Sequence, residues 1–258
     1  MKNQNDRQGR MIYITRHFQD GGAELVPCRM ERVGPEHLDE AVRLHDTVSH
    51  GLSYEIFAAS PHEEIKRFLG PEGYAVGVFY ENRLIALRTI KMSDLWTNEA
   101  LDSFSVVRAA NERPAVTGFC VVDSEFRGNN VQFLTQYLVE NEAAREHTSL
   151  VTTVAPKNVF SLENVLNCNF RIMGLTKAYG GYLRFVLKKD FRAEQPRLMT
   201  HGHLQLSIRD IKNQTKAISD GFYGYKLIRK PRGFHLLYAA AAACDARGAS
   251  FLRADNVC

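Results

Sequence analysis

The spacing of apolar positions changes period many times along this chain, and each change marks an element. Leu25–Val33 (LVPCRMERV) reads as a strand. From Pro35 to about Ser49, Leu38, Ala41, Val42, Leu44 and Val48 recur at helical spacing. A shorter helix is predicted at Pro61–Leu69. YAVGVFY and RLIALRTIKM then form a hairpin across Glu81-Asn82. The polar, mixed stretch Ser93–Pro114 reads as an excursion between strands. Ala115–Val122 is an apolar strand that runs through VVDSEFRGNNVQ onto a helix-like run, Val131–His147. A strand at Ser149–Val154 follows, then a short helix within PKNVFSLENVLNCNF. The hairpin IMGLTKAYGGYLRFVLKK carries Gly180-Gly181 at or beside its turn. RAEQPR (192–197) reads as a linker, and GFYGYKLI and GFHLLYA as two strands joined across Arg229–Gly233. The first residues are polar, an arm with one short strand at Met11–Thr15.

This order of elements predicts an α/β fold of the mixed (α+β) kind, a mostly antiparallel sheet with helices on both faces. The hairpins exclude a doubly wound fold, in which strand and helix alternate almost throughout. Three regions are expected: an arm (1–24), a main domain (25–190) and a small C-terminal extension (191–258). At 258 residues the chain has room for a generous core. No apolar run approaches the ~20 residues of a membrane helix, so no membrane partner is expected; Leu236–Cys244 is the nearest and is too short. The five cysteines, 28, 120, 168, 244 and 258, are scattered, odd in number and without a CxxC pair. They read as free thiols of a cytoplasmic protein. A net charge of +4 suits an anionic small ligand and gives no reason to invoke nucleic acid.

The chemistry concentrates in the Arg-Gly-Asn-Asn turn between strand and helix. Gly128 lets backbone approach a ligand, N–H groups at a helix start point toward it, and Arg127 adds a fixed charge. By itself such a turn is better explained by geometry than by phosphate binding. Glu125, Phe126, Arg127, Gly128, Asn129, Asn130 and Val131, however, follow the pattern of an acidic or Gln residue, an aromatic, Arg-Gly-x-Gly and an apolar helix start. That pattern resembles the cofactor loop of the GNAT acetyltransferase superfamily. Asn158, Ser161 and the short helix ending near Phe170 resemble the family's second cofactor segment. The likeness spans about residues 26–190 as an order of elements, with specific residues only at 121–132 and 156–170.

The resemblance implies acetyl-CoA as acetyl donor, no metal, and an N-acetyltransferase acting on an amine of a small molecule or protein. It implies a cleft between Ala115–Val122 and Ser149–Val154. Val121 and Val122 would hold the thioester and pantetheine through backbone groups, and Arg127, Gly128, Asn129, Asn130, Val131 and Gln132 the pyrophosphate. Asn158 would reach the pantetheine or thioester end, and Ser161 would line the channel; a helix cap after Pro156 is the equal alternative for Asn158. Asn130 replaces the loop's second glycine, though Asn tolerates a left-handed backbone and can cap a helix. Val165 occupies the position where many members carry the Tyr that protonates the thiolate. Ala115–Val122 contains no carboxylate, and Glu112 just before it reads as a surface residue. Catalytic residues are therefore unknown from sequence. A non-catalytic acyl-CoA-binding module is the alternative, and a homodimer is compatible with either. Leu52–Ala59, Ser93–Arg113 and the C-terminal region are the expected acceptor contacts.

Other polar groups read as structure. His45 and His50 sit where a helix dipole favours them, and His201 with His203 lacks a third metal ligand. Lys226, Arg229, Lys230 and Arg232 form solvated surface, and Phe222, Tyr223 and Tyr225 pack a strand. Cys120 and Cys168 have no sequence-adjacent His to activate them, so direct attack of the amine on the thioester is expected.

Overall fold

In a computed structural model, which describes residues 9–191 and 203–240, alternation and helical spacing become paired strands and packed helices. The strands are β1 (Arg10–His17), β2 (Ala23–Arg32), β3 (Gly73–Tyr80), β4 (Arg83–Lys91), β5 (Pro114–Val122), β6 (Ser149–Val154), β7 (Arg171–Ala178), β8 (Tyr182–Asp190), β9 (Leu204–Ser207), β10 (Phe222–Lys230) and β11 (Gly233–Ala240). The helices are α1 (Leu38–Ser49), α2 (His62–Leu69), α3 (Asp94–Ser103), α4 (Val131–Ala143), α5 (Val159–Asn167) and α6 (Ile211–Ser219). The chain forms two compact units, Met1–Tyr54 with Ala59–Ser93 and Thr117–Arg145, and Glu55–Ala58 with Asp94–Val116 and Glu146–Cys258.

In the first unit β1 to β4 lie in sequence order, each antiparallel to the next, with Thr117–Val122 of β5 beside β4. The β3–β4 hairpin turns through Glu81 and Asn82 at φ 47° and 63°. Positive φ at both central residues matches the turn twist to the strand twist. Every residue of β4 from Leu84 to Ile90 is buried, which requires cover on both faces; α1 and α4 both pack on it. Gly118 of β5 is required by close approach, because a side chain there would meet the Phe68 ring and the Thr89 hydroxyl.

In the second unit Pro114–Val116 of β5 runs parallel to Ser149–Val151 of β6. Every other pairing resolved in this unit is antiparallel, in the order β6, β8, β7, β10, β11, β9. The expected mixed, mostly antiparallel architecture is thus the observed one. One core cluster joins Ala100, Leu101, Phe104 and Val106 to Val116, Val151, Ala178 and Val186.

Four stretches differ from expectation. Ser93–Pro114 contains a helix, α3, which buries Trp96, Thr97, Ala100 and Leu101 while Leu95 faces out. The C-terminal region adds β9 and α6 to its two expected strands. The helix after the turn stops at Ala143 rather than His147, and the arm's strand is longer than expected, Arg10–His17. The linker at 192–197, His201, Cys244 and Cys258 lie outside the described residues.

Candidate functional site

The turn after β5 is assembled from long-range ties. Val121 and Val122 are buried at the strand end, and the next N–H, of Asp123, bonds to the Ile85 carbonyl at 2.8 Å. The Asp123 carboxylate accepts from the Glu125 N–H at 3.1 Å and from Arg83 Nη1 at 2.9 Å. Glu125 pairs with Arg16 Nε of β1 at 2.8 Å. That bond, opposed by partial burial, raises the Arg16 pKa above its ordinary value. Phe126 is fully buried against Tyr80, with ring centroids 5.6 Å apart. Arg127 turns its Nε back to the Val122 carbonyl at 3.2 Å.

Gly128 then adopts φ +84°, and nothing lies within 4 Å of where a Cβ would stand. The backbone here is open to a ligand. Asn130 is left-handed at φ 56° and ψ 21°, the conformation that lets Asn stand in for glycine. Its side chain makes no cap bond to α4, so the expected capping role is corrected: Asn130 supplies the bend only. Helix geometry leaves the first N–H groups of α4 without intrahelical partners. Beneath that turn lies the buried guanidinium of Arg88, donating from Nε to Thr135 Oγ1 at 3.2 Å and from Nη2 to the Gln132 carbonyl at 3.0 Å. Arg88 was not anticipated, since one Arg in an apolar strand gives no sequence signal of what it meets. Val131 is buried and anchors the helix start. Open backbone, a helix N-terminus and nearby cationic groups are what an anionic ligand requires.

Asn129, expected near pyrophosphate, directs its side chain elsewhere. Its Oδ1 accepts from the Thr15 N–H at 2.7 Å and its Nδ2 donates to the Thr15 carbonyl at 2.6 Å.

The second unit holds the other predicted residues. Asn158 is the N-cap of α5, its Oδ1 accepting from the Ser161 N–H at 3.1 Å, so the capping alternative is realised. Ser161 and Val165 are half-buried. Glu112 is half-buried and forms a close ion pair with the largely buried Lys188. A polar group the sequence did not single out lies on β6 and the β7–β8 turn, where Thr153 Oγ1 and the Tyr179 hydroxyl are 3.1 Å apart. Tyr179 is held at φ 52°. The buried Arg184 sits 5.3 Å from the Tyr179 ring centroid and donates to the Glu55 carbonyl at 2.8 Å.

The remaining candidates are structural. His45 is buried, its Nδ1 3.1 Å from Asp46 Oδ1 and its Nε2 accepting from the Ser60 N–H at 3.2 Å. For Asp46, partial burial pushes the carboxyl pKa up, but the bonds from His45 and His62 outweigh it and hold it below the ordinary value. Cys28, Cys120 and Cys168 are free thiols, and burial pushes the Cys28 pKa up to about 11. Among the described residues no group of three His, Cys, Asp or Glu side chains could hold a metal. A surface depression of about 370 Å³ beside α1 and α2, lined by Asp39, Arg43, His62, Glu63 and Lys66, carries both signs of charge and none of the turn residues.

The fold resembles that of known acetyltransferases. The GNAT domain of S. lividans PAT superposes with a TM-score of 0.50 at 14% identity, covering 74% of this chain and all of that one. Arabidopsis thaliana NAA60 in complex with acetyl-CoA superposes with a TM-score of 0.50 at 11% identity, covering 64% of this chain and 99% of the other. The same plant protein with a bisubstrate analogue gives 0.50 at 12% identity. Identities this low speak for the fold, which is GNAT-like. No family model and no curated protein matches the chain.

Proposed function

We propose that this chain is an acetyl-CoA-dependent N-acetyltransferase, in which an amine of a small molecule or protein attacks the thioester directly. The open cradle at Gly128 carries the reading. It joins a strand end to a helix N-terminus within a GNAT-like fold, and its unfilled space suits a phosphate against backbone N–H groups. The pyrophosphate would lie on the backbone from Arg127 to Gln132, with the Arg127 guanidinium beside it. The pantetheine arm would follow backbone groups at Val121 and Val122. Asn158 keeps its cap and, with Ser161, is proposed for the pantetheine end.

Such a site accelerates acetyl transfer by holding amine and thioester together and by polarising the carbonyl with N–H donors. The nitrogen lone pair forms the new C–N bond as the C–S bond breaks. One proton leaves the amine and the thiolate gains one. Val165 offers no acid, so water is proposed to carry the proton to the thiolate. Cys120 is half-buried and Cys168 buried in packed surroundings, which supports direct transfer over an acetyl-cysteine intermediate.

The same absence of a strand carboxylate and of Tyr at 165 favours a second reading, a module that binds acyl-CoA without turnover. Thermal shift with acetyl-CoA tests binding, and thiol release across an amine panel separates the two. No stabilisation by acetyl-CoA would reject both. Stabilisation without thiol release, for any amine, would leave the binding module.

A further inference from the structure

We infer that the N-terminal strand β1 belongs to the cofactor site, with Asn129 as a positioning residue rather than a phosphate ligand. This rests on the reading of the Arg127–Gln132 turn as the acetyl-CoA site. In an antiparallel ladder, alternate residues turn both N–H and C=O away from the partner strand. Thr15 of β1 faces Leu25 of β2 in register, yet both its backbone groups are taken by one side chain, that of Asn129. β1 is the outermost strand of its unit, so these groups would otherwise face solvent. The Asn129 amide thus acts as a one-residue neighbouring strand, donor to acceptor and acceptor to donor. The same Nδ2 also donates to the Phe126 carbonyl at 3.1 Å, inside the turn itself.

A second tie runs alongside. Arg16, the next residue of β1, pairs with Glu125, and its guanidinium lies 5.0 Å from the Phe18 ring centroid and 5.6 Å from that of Tyr80. β1 therefore grips the turn on both sides of Arg127 and Gly128. Gly128 in an unbraced loop samples many conformations, and only a fraction would aim the backbone at a ligand. Bracing raises that fraction and so the apparent affinity.

Two variants test this by calorimetry. Asn129→Ala removes the brace but keeps the backbone N–H that a phosphate would use. Thr15→Pro removes one of the two bonds and spares the β1–β2 ladder, because that N–H points outward. Acetyl-CoA affinity is expected to fall about tenfold in Asn129→Ala and about threefold in Thr15→Pro, as one or two neutral hydrogen bonds allow. S-acetylpantetheine, which lacks the pyrophosphate, should bind both variants as it binds the wild type. Unchanged acetyl-CoA affinity in Asn129→Ala overturns the inference, and so does an equal loss for both ligands, which would mean general loosening. A wild-type protein that does not bind acetyl-CoA instead overturns the reading beneath it.

Discussion

The two segments that resemble a cofactor site use their polar side chains in opposite ways. Asn158 satisfies its own helix, accepting an N–H three residues along. The turn after β5 reaches outward: Asp123 to Arg83, Glu125 to Arg16, and Asn129 to Thr15, a residue 114 positions away in the chain. A local cap forms wherever its helix forms. A turn held by three distant partners has its shape only when the surrounding unit is folded. The side chains of Asp123, Glu125 and Asn129 build the turn and leave its backbone open at Gly128.

The largest effect should come from filling that cradle. Gly128→Val places a branched side chain at φ +84° in open space, where there is no clash inside the protein. The left-handed strain should cost about 1–2 kcal/mol of stability, while acetyl-CoA affinity should fall about a hundredfold because the phosphate loses its approach. Calorimetry on the folded variant decides it, and wild-type affinity would place the ligand elsewhere. Next is Arg127→Glu. Reversing a charge at the proposed pyrophosphate position should weaken acetyl-CoA by about thirtyfold, and lowered salt should widen the gap between variant and wild type. A salt-independent loss would point instead to the broken bond to the Val122 carbonyl.

Asn158→Ala sharpens the contrast from the other side. If the cap is its main work, stability should drop by about 1 kcal/mol, read as a lower denaturation midpoint with unchanged slope. Asn158→Ser should restore most of it. Acetyl-CoA affinity should change by less than about threefold. A tenfold loss that Ser does not rescue would make Asn158 a ligand as well as a cap.

What could be read from sequence follows the same division between local and distant. The β3–β4 turn was legible because Glu81 and Asn82 adopt a conformation set by two residues. The strand–turn–helix at 115–143 and the Asn158 cap were legible for the same reason. α3 was not, since its buried stripe includes Thr97 and places Trp96 inward next to an outward Leu95. α6 hid itself too. Its buried Gln214 accepts from the Tyr238 hydroxyl at 2.9 Å and donates to the Ser207 carbonyl at 2.8 Å, partners that only the folded unit supplies. Thr153 with Tyr179, and Asn129 with Thr15, are pairs of the same kind.

The smallest effect concerns pH, and it sets the second unit's stability apart from the ion-paired turn. His147, just before β6, is 4% exposed. Burial pushes its pKa below the ordinary 6.5, and the charge of Arg113 acts in the same direction. The folded state therefore binds its proton less readily than the unfolded chain. Above pH 6.5 both states are neutral at this site and its contribution is whole. As the pH falls below 6.5 the unfolded chain takes up the proton first, and stability declines until the folded-state pKa is passed. One proton limits the slope to about 1.4 kcal/mol per pH unit. Urea titrations from pH 7.5 to 5 should show a decline that His147→Phe flattens. Glu125→Gln, which removes the Arg16 partner at the turn, should instead lower stability and leave that decline for His147→Phe to remove. An unaltered slope in His147→Phe would mean that another group carries the acid sensitivity.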